Sequence, residues 1–295
     1  MSTQLQKRFY PTIGQSFFIP IKILLASLIV SIPFIATLII FPGMFTSGNF
    51  YSLLLLILYV STFALVVFIE MRKIGKNNDV KHFRFSAVPV STILLALITV
   101  LTAGLVIEPF VESLPVPETF QNAFQRIIQP NIFSFMLVAL VPAIFEELLF
   151  RGIILEGFLK NYSPQKAILW SAMIFGVVHF NLSQGITAVV FGIIIGWVYC
   201  KTNSLIPGMI IHFINNSIAF ALSMSAHNVG SSFFSLFKNE IFYWIALVIA
   251  VYICGACLII LNRRFSSNSS EESQIQFTKE PGNEFRTENT LGFNS

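Results

Sequence analysis

The feature that most constrains this chain is a series of long apolar runs. A helix needs about 20 mostly apolar residues to cross the hydrocarbon core of a bilayer. Eight segments approach or exceed that length, and by residue number they are 17–41, 51–70, 86–107, 132–158, 166–181, 184–200, 204–224 and 241–262. The sequence therefore predicts an all-α fold, a polytopic membrane helix bundle with about eight transmembrane helices. The fifth and sixth segments are short and almost adjacent, which indicates a tight helical hairpin.

Composition excludes a soluble globular domain. Of the 295 residues, 55% are apolar and 11% are charged, whereas soluble domains carry roughly 25% charged residues. The basic residues lie in short loops beside apolar runs, so the net charge of +4 does not indicate a nucleic-acid partner. Cys254 and Cys257 lie inside an apolar run, where free cysteine behaves as a small hydrophobic residue. We therefore expect neither a redox pair nor a disulfide framework.

The basic residues also predict the topology. If both termini are cytoplasmic, Arg126 and Lys238 are the only Lys or Arg in loops on the outer side, as the positive-inside rule requires. The tail is rich in Ser, Asn and Glu, which is typical of disorder. We divide the chain into N-terminal transmembrane helices and loops (1–130), a helical core (131–225), a last transmembrane helix (226–264) and a disordered cytoplasmic tail (265–295).

Three predicted spans carry polar side chains that do not belong in a bilayer. An ionisable residue in a transmembrane helix costs at least a few kcal/mol, and so it marks a functional site by default. The residues concerned fall into three pairs at a spacing of four, Glu147 with Arg151, Phe175 with His179, and His212 with Asn216. Residues at this spacing share one face of a helix. Glu146 lies about 100° around the helix from Glu147, so the two carboxylates can have different roles.

Depth in the membrane brings the candidates together. Counting from the predicted cytoplasmic ends of their spans, Glu146, His179, His212 and Asn216 all lie at roughly 16–22 Å, near mid-membrane. A carboxylate and an imidazole can hold and deprotonate a water molecule. A second imidazole and a carboxamide can donate hydrogen bonds to the oxyanion of an attacked carbonyl. These residue types point to hydrolysis, and the sequence has neither a Gly-x-Ser-x-Gly elbow nor a His-Glu-x-x-His zinc helix.

The three motifs carry a resemblance to a known family. Glu-Glu-x-x-x-Arg at 146–151, Phe-x-x-x-His at 175–179 and His-x-x-x-Asn at 212–216 resemble, in order and placement, the motifs of the CAAX-protease and bacteriocin-processing family. That family includes the endopeptidase that trims prenylated CAAX proteins, and bacterial members tied to bacteriocin maturation or self-immunity. The resemblance covers roughly residues 130–225. It implies an intramembrane endopeptidase, which we expect in a bacterial cell membrane.

The resemblance also implies a role for each candidate. Glu146 would be the catalytic base that activates water, with His179 as its partner, and His212 and Asn216 would form the oxyanion site. The supporting residues would be Glu147, Arg151 and Phe175. We favour a mechanism without a metal or other cofactor. Zinc stays open, because Glu146, His179 and His212 are residue types that bind it.

Two other function classes fit part of the pattern. A non-cleaving scaffold or immunity protein of the same family would keep the motifs without turnover. A proton-coupled transporter is also conceivable, because buried Glu and His build proton relays, but the chain shows no internal repeat and its polar groups cluster at one level. For the leading hypothesis, the expected partners are the lipid bilayer and a membrane-anchored peptide or protein, either lipidated or bacteriocin-like. The sequence identifies neither the substrate nor the oligomeric state.

Overall fold

The chain folds into a bundle of helices. The computed structural model describes residues 9–41, 48–76, 83–225 and 239–279, and every regular element within these ranges is helical. In chain order the helices are α1 (Ile13–Ser16), α2 (Ile19–Ile40), α3 (Gly48–Lys76), α4 (Val90–Glu112), α5 (Glu118–Ile127), α6 (Ile132–Leu159), α7 (Pro164–Val177), α8 (Leu182–Thr202), α9 (Ile206–Ser225) and α10 (Glu240–Lys279). Helix α6 contains two π-helical stretches, at Met136–Leu140 and Leu148–Leu155.

Seven stretches of the described residues are long and apolar enough to cross a membrane. They correspond to α1 with α2, α3, α4, α6, α8, α9 and α10. Their outer faces expose large apolar side chains, and Ile39 on α2 and Tyr252 on α10 are 71% and 75% exposed. Apolar surface of this extent suits contact with lipid rather than with water. The protein is an integral membrane protein with an all-helical fold.

The predicted span at 166–181 differs most from its helix in the structure. Helix α7 has only 14 residues, so it is about 21 Å long, shorter than the hydrocarbon core of a bilayer, which is about 30 Å thick. The chain turns after it, with Phe180 in the left-handed region at a φ of 50°. Asn181 then caps α8, its side chain accepting a hydrogen bond from the backbone N–H of Gln184. The hairpin is therefore present, with a first arm shorter than the apolar run suggests.

Small residues hold the two arms of this hairpin together. Going along α7, the neighbours on α8 run backwards, because Ile168 lies against Gly196, Ala172 against Gly192 and Gly176 against Gly185. The two helices are therefore antiparallel. A Cβ atom placed on Gly192 would lie 2.9 Å from the Cβ of Ala172. The two backbones approach at the limit that glycine allows, as small residues permit in membrane helix packing.

Other boundaries also move. The predicted outer loop at 108–130 contains the end of α4 and all of α5. Helix α10 continues to Lys279, into the predicted tail, and residues 280–295 of that tail lie outside the described residues. Residues 1–8, 77–82 and 226–238, which include some of the Lys and Arg residues used to predict the topology, also lie outside them.

The core is built around the second half of α6. Leu149, Phe150, Ile153 and Ile154 have no exposed surface and pack in a cluster with residues of α2, α3, α7 and α8. Arg151, in the same turns, is only 2% exposed. Helix α6 is therefore enclosed by its neighbours, and a charged residue lies at the centre of the apolar core.

A buried carboxylate lies at one end of the bundle. Glu70 on α3 is fully buried and forms ion pairs with Lys22 on α2, at 3.0 Å, and with Lys73, at 3.1 Å. The hydroxyl of Tyr10 also donates to it. Lys22 therefore links α2 to α3 through this ion pair.

The contact between α7 and α8 yields a prediction with a built-in control. We expect Gly192→Ala to lower the free energy of unfolding by about 1–3 kcal/mol, because the added methyl group overpacks a tight contact. Gly196→Ala should be close to neutral, because its Cβ would meet Ile168 and Leu155 at 3.4 and 3.5 Å, which are ordinary contact distances. Thermal unfolding of both variants in the same lipid measures the difference. Equal destabilisation would contradict the close approach at Gly192.

Candidate active site

A single cavity of about 750 Å³ receives side chains from most of the helices. Its walls are mainly apolar, with contributions from α2 to α9. All four residues that the sequence nominates as catalytic line it, namely Glu146, His179, His212 and Asn216. An apolar cavity with a few convergent polar groups is the usual form of a small binding or catalytic site.

Glu146 lies on α6 between the two π-helical stretches and is 9% exposed. Its Oε1 atom accepts a hydrogen bond of 2.6 Å from the hydroxyl of Tyr59 on α3. Its Oε2 atom is 3.7 Å from Nε2 of His212 on α9. Neither of these contacts involves His179, the partner that the resemblance implies, although His179 lines the same cavity. The carboxylate is thus held on one oxygen and faces an imidazole on the other.

Glu147, the next residue, is fully buried and points into the protein. Its Oε1 atom is 2.7 Å from a guanidinium nitrogen of Arg151, the predicted neighbour four residues on, and 3.0 Å from Nδ1 of His212. Helix α9 passes close by, since a Cβ on Gly208 would lie 2.6 Å from Oε2 of Glu147. His212 therefore lies between two carboxylates, with Nδ1 towards Glu147 and Nε2 towards Glu146.

Arg151 connects α6 to the hairpin of α7 and α8. Its guanidinium carbon lies 4.8 Å from the centre of the Phe175 ring on α7, a favourable cation–π distance. The same group donates a hydrogen bond of 3.4 Å to the carbonyl of Gly192 on α8. The Phe175 ring also lies near both histidines, with its centre 5.1 Å from that of His179 and 6.1 Å from that of His212.

His179 follows α7 directly, in the turn that leads to α8. Its Nδ1 atom is 2.8 Å from the backbone carbonyl oxygen of Phe175. Carbonyls in the last turn of a helix lack an intrahelical donor, so the imidazole supplies one. A carbonyl can only accept, and Nδ1 must therefore carry the proton. In a neutral ring this leaves Nε2 as a hydrogen-bond acceptor.

Asn216 satisfies a backbone carbonyl of α6 that lacks its usual intrahelical donor. Its Nδ2 atom donates a hydrogen bond of 3.1 Å to the carbonyl of Val138. Pro142, four residues after Val138, has no N–H to donate to that carbonyl in α-helical register. The Oδ1 atom of Asn216 accepts a hydrogen bond of 3.3 Å from Asn215. These two bonds fix the carboxamide and leave one hydrogen of Nδ2 available.

Tyr59 and Asn215 belong to the site although the sequence motifs did not single them out. Tyr59 lies near the middle of α3, with its ring stacked on Phe63 at a centroid distance of 4.5 Å. Tyrosines of membrane proteins concentrate at the membrane–water interface, so a tyrosine in the middle of an apolar span is unusual. That position is the sequence signal that could have identified Tyr59. Asn215 is adjacent to a motif residue and lies three residues after His212, so it is on nearly the same side of α9, but it is outside the spacing of four that defines the motif.

No group of three or more His, Cys, Asp or Glu in the described residues is arranged to hold a metal ion. Glu146, His179 and His212 share the cavity. In this structure, however, Nδ1 of His179 and Nδ1 of His212 are engaged by a carbonyl and by Glu147.

Comparisons with known proteins match the same region. Residues 128–218 match the family described as type II CAAX prenyl endopeptidase Rce1-like. This segment includes α6 to most of α9, and therefore every motif residue of the site, while Tyr59 lies outside it. Searches of the curated proteins and of the solved structures gave no match. Through residues 128–218, the chain is thus similar to the Rce1-like family of type II CAAX prenyl endopeptidases.

Proposed function

We propose that this protein is an intramembrane endopeptidase that hydrolyses a peptide bond of a membrane-associated substrate with a water molecule activated by Glu146. One observation carries the proposal. Four polar side chains from three separate helix regions line one largely apolar cavity, and they are Glu146, His179, His212 and Asn216. A carboxylate inside a membrane protein costs free energy, and so it marks a functional site by default.

Glu146 is the general base of the proposed reaction. Oε2 of Glu146 takes a proton from water, and the resulting hydroxide attacks the carbonyl carbon of the scissile bond. Nε2 of His179 accepts a hydrogen bond from the second hydrogen of that water and so orients it. As the C–N bond breaks, Glu146 returns the proton to the leaving amine. The products are a carboxylic acid, which keeps the second proton of the water, and an amine, and Glu146 is again a carboxylate that can act as the base.

The oxyanion that forms on the attacked carbonyl is stabilised by hydrogen-bond donors. The free hydrogen on Nδ2 of Asn216 can be donated to the developing negative charge, and so can an N–H at Nε2 of His212. Nδ1 of His212 already faces the carboxylate of Glu147, which is paired with Arg151. This contact orients the ring, so that Nε2 of His212 faces Glu146 and the cavity.

The walls of the cavity favour an apolar or lipid-bearing substrate. Outside the polar cluster the lining consists largely of Leu, Ile, Val and Phe side chains. Such walls suit a lipidated or a bacteriocin-like hydrophobic peptide, which a membrane enzyme meets in the bilayer itself. We propose a bacterial cell membrane as the location, on the basis of the short loops and the family resemblance. The Lys and Arg distribution between the spans supports cytoplasmic positions for both termini.

The assignment of the base predicts the effect of Glu146→Gln. Cleavage of membrane-anchored peptides by the reconstituted protein should fall by about 10²–10⁴-fold, because the amide cannot take the proton. Glu156→Gln is the matched control, since Glu156 lies on the same helix and accepts a hydrogen bond from Tyr199 that a glutamine oxygen can also accept. Mass spectrometry of a peptide panel follows the cleavage.

Equal cleavage by wild type and Glu146→Gln would overturn the assigned mechanism. If neither protein cleaves any peptide, while both melt at the same temperature and capture the same membrane protein from native lipid, the non-cleaving scaffold replaces the endopeptidase.

The oxyanion role predicts a different kinetic pattern for Asn216→Ala. We expect kcat to fall by about 10²–10³-fold, because one oxyanion donor is lost. KM should stay within a few-fold, because the donor acts mainly on the transition state. Steady-state kinetics on the best peptide of the panel separate the two constants. A rise in KM at unchanged kcat would instead make Asn216 a substrate-binding residue.

The proposed mechanism uses no metal, and a chelator tests this directly. Incubation with 1,10-phenanthroline should leave cleavage by the reconstituted protein unchanged. Loss of cleavage that added zinc restores would contradict the metal-free step and would make Glu146, His179 and His212 the first candidate ligands.

A further inference from the structure

Tyr59 lies outside both the three sequence motifs and the segment that matches the protease family, yet its hydroxyl contacts the proposed catalytic base. The hydrogen bond to Oε1 of Glu146 is 2.6 Å long. Hydrogen bonds from a hydroxyl to a carboxylate at this distance are among the strong ones in proteins. Helix α3 therefore supplies a polar group to a site that otherwise comes from α6 to α9.

The surroundings of Tyr59 fix the direction of this bond. The ring is stacked on Phe63, one turn along the same helix, with an interplanar angle of 20°. It packs at the edge of the main core cluster and lines the catalytic cavity. A tyrosine buried in this way needs a hydrogen-bond partner for its hydroxyl. Its partner here is the base itself, although the lining also offers the hydroxyl and amide groups of other residues.

The bond makes the two oxygens of Glu146 unequal. Oε1 is occupied by the phenol, whereas Oε2 lies 3.7 Å from His212, on the side of the proposed oxyanion donors. Without the phenol, the carboxylate could rotate and present either oxygen, or turn towards other donors in the cavity. Catalytic groups must be held within a fraction of an ångström of their productive geometry.

We propose that Tyr59 is a positioning residue of the hydrolytic site, which holds Glu146 by Oε1 and so selects Oε2 as the atom that takes the proton from water. This inference rests on the proposed function for its catalytic meaning. It extends the site to a helix that the family match does not include. The contact itself can be tested separately from activity.

The test compares Tyr59→Phe with Tyr51→Phe, both reconstituted in the same lipid. Tyr51 is on the same helix, two turns earlier, and is not among the described residues that line the cavity. Tyr59→Phe keeps the stacked ring and removes only the hydroxyl. We expect it to lower kcat by about 10- to 100-fold with KM unchanged, the size expected for one hydrogen bond to a charged group. Tyr51→Phe should retain the wild-type kcat.

Infrared difference spectroscopy reads the contact without any substrate. Subtracting the spectrum of Glu146→Gln from that of wild type isolates the carboxyl stretching band of Glu146. The same subtraction in a Tyr59→Phe background should show this band shifted, because one hydrogen bond to the carboxyl group is gone, and a Tyr51→Phe background should leave it in place. A purely structural role for Tyr59 would move the melting temperature and leave the band unchanged.

Each outcome decides between the two proposals. A wild-type kcat in Tyr59→Phe, or an unshifted band, would overturn the positioning role while cleavage by wild type keeps the endopeptidase. Absence of cleavage by wild type overturns the endopeptidase, and the catalytic role of Tyr59 falls with it, although a band shift would still establish the hydrogen bond. Lower kcat together with a shifted band supports both.

Discussion

The site depends on the buried ion pair between Glu147 and Arg151. Each helix that carries a proposed catalytic residue touches this pair, because Glu147 binds His212 on α9 and Arg151 contacts the Phe175 ring on α7. Breaking a buried pair by removing one partner typically costs about 3–5 kcal/mol, since the other charge is left uncompensated. Glu147 and Arg151 are 0% and 2% exposed, so the remaining charge would be far from bulk water. The ion pair therefore links α6, α7 and α9 around the cavity.

The two adjacent glutamates show how one residue type acquires two roles from its surroundings. They are successive on α6, so they point about 100° apart. That rotation places Glu147 against the guanidinium and Glu146 in the cavity wall beside a phenol and an imidazole. His212 touches both, so the structural and the proposed chemical parts of the site share one side chain. A change in the ion pair is therefore transmitted to the imidazole by direct contact.

The sequence predicts the membrane class, most of the helices and the four proposed catalytic residues that line the cavity, because apolar length and misplaced polar groups are properties of the chain itself. The contacts between the site residues were not predictable in the same way. A spacing of four brings Glu147 to Arg151 within one helix, but nothing in it tells which helix faces the pair, and so the contact of His212 with both glutamates emerges only from the packing. Tyr59 escaped notice because a hydroxyl on an aromatic ring barely lowers the apolarity of its span. The end of α7 was missed because the apolar run continues through the turn at 178–181.

That turn has a consequence for water in the bilayer. Irregular backbone at membrane depth is tolerated only where it is buried in protein or lines a hydrated space, and Val178, His179 and Phe180 line the cavity. Helix α7 is too short to cross the hydrocarbon core, so this turn at the cavity wall is compatible with a hydrated space at membrane depth. The same break in the helix that positions an imidazole is therefore compatible with water, the second reactant of the proposed hydrolysis, inside an apolar membrane.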